Sequence, residues 1–399
     1  MSTFPDYGDW LVIEATDGFG PATLASKLLA DLGCVVARLE PGIEVPPDDD
    51  AEHALFELVS RCKHSVAIDW SNPGAASALD ALLQRADVLV VDRAGYLRLQ
   101  AVLATVDLGA RFPRLTVCAC TPFGLTGPLS AWCGGEEIVQ AMAGIMSITG
   151  HAGRGPTRVA GAPLTHAAAM FAVSSILADG LRKRAGDGSQ LLDIATYDAA
   201  LAFQSASLPA YFLSGTPPVG IGNRHSMAAP WNSFRCADGW AIICAGNHPT
   251  WVRLCETIGR PDLLADPRYA TQGERVANVD ALEREVTAWT STRSVAEVES
   301  LLNAGTIACG SVVPLTDVIA HRQFIERNLL DEAGGRHQSG AVFHLGGEPL
   351  AVREGQWRPG AGTRAVLVER CGVKRHEYER WLAGGAVREA RERANVEAA

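Results

Sequence analysis

The chain has 399 residues, of which 47% are hydrophobic and 20% are charged, and its formal net charge at pH 7 is −10. This composition is typical of a globular protein with a core large enough for two or more domains, and it excludes a fibrous or disordered chain. The negative charge and the lack of a dense Lys/Arg block argue against nucleic acid as the main partner.

The chain shows no sign of export or membrane insertion. The first segment, 1-MSTFPDYGDWLVIEATDGFG-20, is acidic and broken by Gly and Pro, unlike a signal peptide. The apolar run 167-AAAMFAVSSILA-178 is shorter than the roughly 18 residues that a membrane span needs. The ten cysteines form no C-x-x-C pair, which predicts reduced, mostly buried thiols and no metal site. We expect a cytoplasmic protein with no membrane partner.

Short β-branched runs alternate with helical segments over the first 120 residues. The predicted strands are 11-LVIEA-15, 34-CVVARLE-40, 65-SVAIDW-70, 87-DVLVVD-92 and 114-RLTVCAC-120, with helices predicted over 22–33, 74–86 and 95–103. Strands that alternate with helices predict an α/β fold, with a mainly parallel, doubly wound, Rossmann-like sheet.

The second half of the chain has a different sequence pattern. A long helix that carries His166 in its first turn is predicted to end at 182-RKR-184, before a Gly-rich break. The segment 214-SGTPPVGIGNRHSMAAP-230 is typical of a crossover between domains, and 231–246 predicts a hairpin turning at Ala237–Gly239. Further helices are predicted over 249–259, 279–291, 294–305, 364–372 and 374–385.

Three basic residues are candidates for binding a phosphate. Arg38, Lys63 and Arg93 lie in or beside strands of the first half, at or near their carboxyl ends. In a doubly wound sheet ligands bind at those ends, where helix N-termini offer amides to phosphate. The first strand-to-helix turn, 15-ATDGFGPAT-23, lacks the G-x-G-x-x-G spacing of a dinucleotide site. Solvated surface charge is the alternative for each of the three cations.

Further residues are singled out by their place at two helix starts. His166 follows Thr165, a candidate N-cap, and the positive end of a helix favours a neutral imidazole there. Such a ring suits either a hydrogen-bond acceptor or a purely structural contact. Glu136 and Glu137 follow two glycines, where acids complement the helix dipole.

Six segments, in order, resemble the class III CoA-transferase family, which includes formyl-CoA, carnitine and benzylsuccinate CoA-transferases and the related α-methylacyl-CoA racemases. They are 20-GPATLASKLLADLGCVVARLEPG-42, 61-RCKHSVAIDW-70, 121-TPFGLTGP-128, 136-EEIVQAMAGIMSITG-150, 222-GNRHSMAAPWNSFRCADGWAIICAGN-247 and 275-RVANVDAL-282. The resemblance implies a large Rossmann-like domain of residues 1–210 and 330–399, a small α+β domain of residues 225–325, and an interlocked dimer.

The resemblance also implies a binding site for coenzyme A, as substrate rather than as a permanently bound cofactor. In this family the first strand-to-helix turn, here Asp17, Gly18 and Phe19, holds coenzyme A together with the basic positions Arg38, Lys63 and Arg93. This agrees with the phosphate site inferred from the residues themselves. The chain departs from the family pattern at Asp92, where members have Asn or Ser.

His166 stands where the family has its nucleophilic aspartate, in 161-GAPLTH-166. The family's chemistry needs a carboxylate, because the enzyme holds CoA as a thioester on its own carbonyl between half-reactions. An imidazole has no carbonyl to become a thioester. The racemase branch pairs a histidine, at the position of Gly135, with the same aspartate, so its chemistry is not predicted either.

Three hypotheses remain from the sequence. The chain is a subunit of a heteromeric CoA-transferase whose aspartate lies on a homologous partner, with succinyl-CoA as the family-level donor and a carboxylic acid as acceptor. Alternatively, it is a homodimeric acyl-CoA enzyme that uses His166 as base or acyl acceptor, or Glu136 as nucleophile. The third hypothesis is a non-catalytic CoA-binding or scaffold protein.

Overall fold

The computed structural model describes residues 9–41, 51–333, 336–340, 342–350 and 358–390. Its contacts divide the chain into two compact units. Unit 1 comprises Met1–Ala143, Val159–Pro209 and Gln323–Ala399, and unit 2 comprises Gly144–Arg158 and Ala210–Arg322. The segment Gly144–Arg158, which the sequence places in the large domain, therefore groups with unit 2.

The strands and helices are numbered here in chain order. The strands are β1 Leu11–Ala15, β2 Val35–Glu40, β3 Lys63–Ile68, β4 Val88–Val91, β5 Thr116–Thr121, β6 Leu191–Ala195, β7 Trp231–Arg235, β8 Trp240–Cys244, β9 Ala308–Ser311, β10 Leu330–Ala333, β11 Arg336–Ser339, β12 His344–Leu345, β13 Glu348–Pro349 and β14 Val387–Arg388. The α-helices are α1 Pro21–Asp31, α2 Ala51–Ser60, α3 Ala75–Leu83, α4 Arg93–Val102, α5 Leu108–Arg111, α6 Glu136–Met142, α7 Ile145–Ile148, α8 Pro163–Arg184, α9 Thr196–Ala202, α10 Ser207–Ser214, α11 His248–Thr257, α12 Gln272–Ala277, α13 Val279–Thr290, α14 Val295–Ala304, α15 Leu315–Val318, α16 Arg322–Glu326 and α17 Arg375–Ala383. Two 3₁₀ helices, Pro261–Leu264 and Pro267–Tyr269, and a π-helix, Ala365–Arg370, complete the set.

Unit 1 is built on a seven-stranded sheet in the order β14-β3-β2-β1-β4-β5-β6. All neighbours pair in parallel except β14, which closes one edge in the antiparallel direction. The five strands predicted in the first half all form and lie in this sheet. The doubly wound α/β fold expected from the sequence is thereby confirmed.

The sheet of unit 1 is covered on both faces. Ile13 of β1 belongs to a cluster with Leu79 and Trp381 on one face, and Val12 belongs to a cluster with Leu29 and Ile176 on the other. Every residue of β1 is buried, as expected for a central parallel strand covered on both sides. The central strands are therefore mostly apolar, although β1 contains the buried Glu14 and β2 contains the buried Arg38 and Glu40.

Helix α8 packs against α1, β5 and β6. By length and composition it is the one helix in the described part of the chain that could cross a membrane, but 56% of its apolar window is buried inside the protein. A core helix meets the same criteria. All ten cysteines are free thiols in this structure, and six of them are buried.

Unit 2 contains a three-stranded antiparallel sheet in the order β7-β8-β9. The hairpin predicted over 231–246 forms, with Arg235 opposite Trp240. Arg275 of α12 is fully buried in this unit. Its guanidinium donates to the carbonyls of Ala229 and Gly246 at 2.9 Å each and to that of Tyr269 at 3.2 Å. One side chain thus joins three loops.

We predict that Arg275→Met lowers the free energy of unfolding of unit 2 by about 3 kcal/mol. The substitution leaves three buried carbonyls without a donor, and each such loss costs about 1–3 kcal/mol before relaxation. Urea denaturation followed by circular dichroism measures the change. Arg284→Met, at an exposed position of the neighbouring helix α13, is the matched control. A loss below about 1 kcal/mol for Arg275→Met would contradict the assigned role.

Candidate functional site

The carboxyl ends of β1 and β4 are joined by one carboxylate. Asp92 follows β4, and its Oδ1 accepts from the amide of Gly95 at 2.7 Å, so it caps the N-terminus of α4. Its Oδ2 accepts from the amide of Asp17, in the turn after β1, at 2.7 Å. Burial raises the pKa of Asp92 above its ordinary value, against these two hydrogen bonds. The carboxylate of Asp92 is therefore an anchor for the turn.

Gly95 lets α4 start directly against the end of β1. A Cβ at this position would lie 1.9 Å from the carbonyl oxygen of Ala15, which is backbone and cannot swing away. The close approach explains why a glycine stands in the first turn of α4.

The turn itself is held from beneath by α1. Thr23 Oγ1 donates to the carbonyl of Gly18 at 2.6 Å and lies 2.9 Å from Thr16 Oγ1. Helix α1 begins at Pro21 with Gly20 as its N-cap, so no cap side chain covers its first amides. Phe19, in the same turn, has 41% of its surface exposed. Asp17, Gly18 and Phe19 thus lie where the sequence places them, at the carboxyl edge of the sheet.

Two arginines flank this turn. Arg93, the first residue of α4, is half-buried and donates to the carbonyl of Ser130 at 2.5 Å. Arg98 pairs with Asp17 at 2.5 Å and stacks over Trp70, with its guanidinium carbon 5.4 Å from the ring centroid. Arg98 is missed by the sequence analysis, although it lies in the second turn of a helix that starts at a strand's carboxyl end, which is the signal that could have found it.

Lys63 is not on this edge, which corrects its expected place. Strand β3 begins at Lys63, so the residue lies at the amino end of the strand. Its fully buried side chain reaches Glu14 of β1, with Nζ 2.6 Å from Oε2, and donates to Thr23 O and Ser26 Oγ of α1 at 3.0 Å each. The positive charge of Lys63 is therefore paired with Glu14 inside the protein.

Arg38 is also drawn into this buried cluster, which we call the Glu14 cluster: Glu14, Arg38, Glu40 and Lys63. Arg38 is 5% exposed, 3.3 Å from Glu14 and 3.0 Å from Glu40. Burial alone raises the pKa of Glu14, but Lys63 and Arg38 hold it below its ordinary value. Burial lowers the pKa of Lys63 to about 8 and raises that of Glu40 to about 7. Of the three predicted phosphate-binding cations, only Arg93 lies at the carboxyl edge of the sheet.

Glu136 holds the first turn of α8. Its Oε2 accepts from the amide and hydroxyl of Thr165 at 2.7 and 2.8 Å. Its Oε1 accepts from the amide of Leu164 at 3.1 Å and from Gln140 Nε2 at 2.9 Å. Burial raises the pKa of Glu136, but these hydrogen bonds outweigh it and lower the pKa below its usual range. The carboxylate is therefore ionised and has both oxygens engaged.

His166 is exposed in the first turn of α8, as the sequence predicts. Its Nδ1 lies 2.8 Å from the carbonyl of Ala162, so Nδ1 carries a proton and donates to that carbonyl. The expectation that Thr165 is the N-cap is wrong, because α8 begins at Pro163 with Ala162 as its N-cap. Thr165 instead turns its hydroxyl to Glu136.

Within the part of the chain that the structure describes, no group of three or more His, Cys, Asp or Glu side chains could hold a metal ion.

Comparison with known proteins places these features in a family. A family model described as CoA-transferase family III matches residues 8–364. The acetyl-CoA:oxalate CoA-transferase of Acetobacter aceti is 30% identical, over 84% of this chain and 88% of that protein. The succinyl-CoA:mesaconate CoA-transferase of Haloarcula hispanica is 31% identical, over 87% and 92%. A solved CAIB/BAIF family protein from Brucella suis is 26% identical, with a TM-score of 0.76 over 90% of this chain and 98% of that one.

We predict that Glu40→Gln stabilises unit 1 at pH 8 by up to about 3 kcal/mol. The folded-state pKa, about 7, lies above the ordinary 4.5. The folded state then holds an extra proton between these values, so stability falls as pH rises from 4.5 through 7. The neutral amide of Gln does not ionise, so the variant does not lose this stability as the pH rises.

The test is urea denaturation of both proteins at pH 5 and pH 8. The difference between Glu40→Gln and the unmodified chain should be small at pH 5 and large at pH 8, and Asp69→Asn, a more exposed acid, should not show this pattern. An equal or lower stability of Glu40→Gln at pH 8 would show that the buried charge of Glu40 does not destabilise the folded state.

We predict that Glu136→Ala lowers the free energy of unfolding by about 1–3 kcal/mol, since it removes the acceptor for two amides at the start of α8. The neighbouring Glu137→Ala, at an exposed position on the same helix, controls for the loss of a first-turn acid. Denaturation at pH 7 measures both. The stabilisation by Glu136 is present above its unfolded-state pKa and is lost as pH falls through its lowered folded-state pKa. Equal losses for the two variants at pH 7 would contradict this role.

Proposed function

Since the chain belongs to CoA-transferase family III, we propose that it is one subunit of a heteromeric enzyme that moves CoA from an acyl-CoA to a carboxylic acid. The family-level donor is succinyl-CoA, which the names of several relatives include. The acceptor is a carboxylic acid of unassigned structure.

Binding of the CoA phosphates is supported at the carboxyl edge of the sheet. The uncapped first amides of α1 offer donors, and a helix N-terminus favours an anion. Arg93 and Arg98 add positive charge on the same edge, although Arg98 already neutralises Asp17. We assign phosphate contacts to these groups and to the turn at Asp17, Gly18 and Phe19. Arg38 and Lys63 belong to the buried Glu14 cluster and support the turn without contacting the phosphates.

The transfer itself requires a carboxylate. A carboxylate oxygen attacks the thioester carbonyl and expels the CoA thiolate, which leaves a mixed anhydride. The thiolate then attacks the enzyme's own acyl carbon, forming an enzyme thioester and releasing the donor acid. The acceptor carboxylate repeats these steps in reverse order, so new acyl-CoA forms and the enzyme carboxylate is restored.

The single observation that carries the heteromer proposal is the state of the carboxylate at α8. Glu136 contacts the first turn of this helix, but its two oxygens accept four hydrogen bonds and are not available to attack a thioester. His166, which the resemblance to the family places at the position of its aspartate, has an imidazole that cannot form a thioester. The nucleophile therefore has to come from a homologous chain, with which this one forms the family's interlocked assembly.

We predict that His166→Ala leaves the transfer rate of the purified complex within a few-fold of the unmodified complex, because His166 is a helix-start residue and not the nucleophile. The rate is measured as formation of acyl-CoA from succinyl-CoA and acceptor acids. The same assay on this chain alone should show no transfer. A loss of several hundredfold without unfolding would instead assign the chemistry to His166.

The composition of the complex provides the second test. A tag on this chain, followed by native mass spectrometry of the complex from its source cells, should recover a homologous subunit with aspartate at the position matching His166. Substituting that aspartate by asparagine should abolish transfer. A pure homodimer that transfers CoA would overturn the heteromer and leave the family assignment intact.

A further inference from the structure

A cavity of about 450 Å³ lies at the amino edge of the unit 1 sheet, on the side away from the candidate site. It is bounded by residues just before or at the start of three parallel strands, Trp10, Asp87 and Thr116, and by the last turn of α8. Its size is within the range of small-molecule sites. The proposed transferase chemistry does not use it.

The cavity is lined by four cations on a chain of net charge −10. Arg85, Arg114 and Arg184 are exposed at its mouth. None of these three guanidiniums forms an ion pair with a described residue. Unpaired arginines gathered at one concave surface favour an oxyanion, which they can bind in bidentate fashion.

The acids that line the same cavity are already engaged. Asp87 Oδ2 accepts from the amide of Leu11 at 2.8 Å. Asp187 lies 3.4 Å from Arg182, outside the set of lining cations. With four cations and two acids, the lining keeps a net positive charge.

Two further lining residues, less exposed than the arginines, supply polar groups. Lys183 Nζ donates to the carbonyls of Arg114 at 2.7 Å and Asp87 at 3.2 Å, which leaves its third hydrogen free. Ser189 Oγ is buried and has no hydrogen-bond partner among the described residues. A buried hydroxyl without a partner is costly and is satisfied by a bound polar group. The negative end of the α8 dipole also lies here, but the three basic residues of its last turn offset it.

We propose that this cavity binds a small divalent oxyanion, a phosphate or a dicarboxylate, with Arg114 and Arg184 as its charged contacts and Lys183 and Ser189 as donors at its base. The site is separate from the carboxyl edge where the CoA phosphates are proposed to bind. It depends on residues of unit 1 alone.

The test is isothermal titration of the full-length chain with inorganic phosphate and, separately, with succinate, at constant ionic strength set with chloride. We compare the unmodified chain with Arg114→Gln/Arg184→Gln. A double variant of equal charge, Arg284→Gln/Arg375→Gln, is the control, since both its positions are exposed and neither lines the cavity.

We expect at least one of the two anions to bind, with its Kd raised tenfold or more in the cavity variant and unchanged in the control. The anion that binds identifies which chemistry the site takes. Binding that is equal in the cavity variant, or no binding of either anion, would overturn the proposal. The substituted side chains are exposed, so both variants are expected to fold, which circular dichroism checks.

Discussion

The buried ion pair between Lys63 and Glu14 is the interaction on which the candidate site depends. It joins two strands of the sheet, and Lys63 also bonds α1 through Thr23 and Ser26. Thr23 in turn bonds the turn after β1, so the position of that turn is set by charges below it. Removing one partner of such a pair leaves an uncompensated buried charge, which costs about 3–5 kcal/mol. The turn is thus fixed before any ligand arrives.

The sequence predicts the sheet well because its signal is local. Apolar runs bounded by Gly and acidic residues identified β1, β2, β4 and β5, and the turn at Ala237–Gly239 identified the hairpin. The edge strand β6 was missed, since alternate residues of it are exposed and it carries no continuous apolar run. A continuous apolar run indicates a strand that is buried on both faces, and a partly exposed edge strand lacks such a run.

The roles of long charged side chains were harder to predict, because their contacts are set by distant elements. Lys63 and Glu14 are 49 positions apart, and Glu136 meets Thr165 across 29 positions. Lys63 lies at the amino end of β3, and the predicted strand 65–70 also begins after it, so its assignment to the carboxyl edge did not follow from the strand bounds. A lysine that binds phosphate and one that neutralises a buried carboxylate look alike in sequence. Only the fold separates them.

Gly95 has a consequence for how this site can change. With the carbonyl of Ala15 in the space of any Cβ, position 95 accepts no side chain unless α4 moves away from β1. Moving α4 would also move Arg93, Arg98 and the cap at Asp92, which all depend on the same first two turns. Sequence changes at this edge of the sheet are therefore tolerated more readily in the surrounding loops than in the first turns of α4. The helix is a fixed reference against which those loops can diverge.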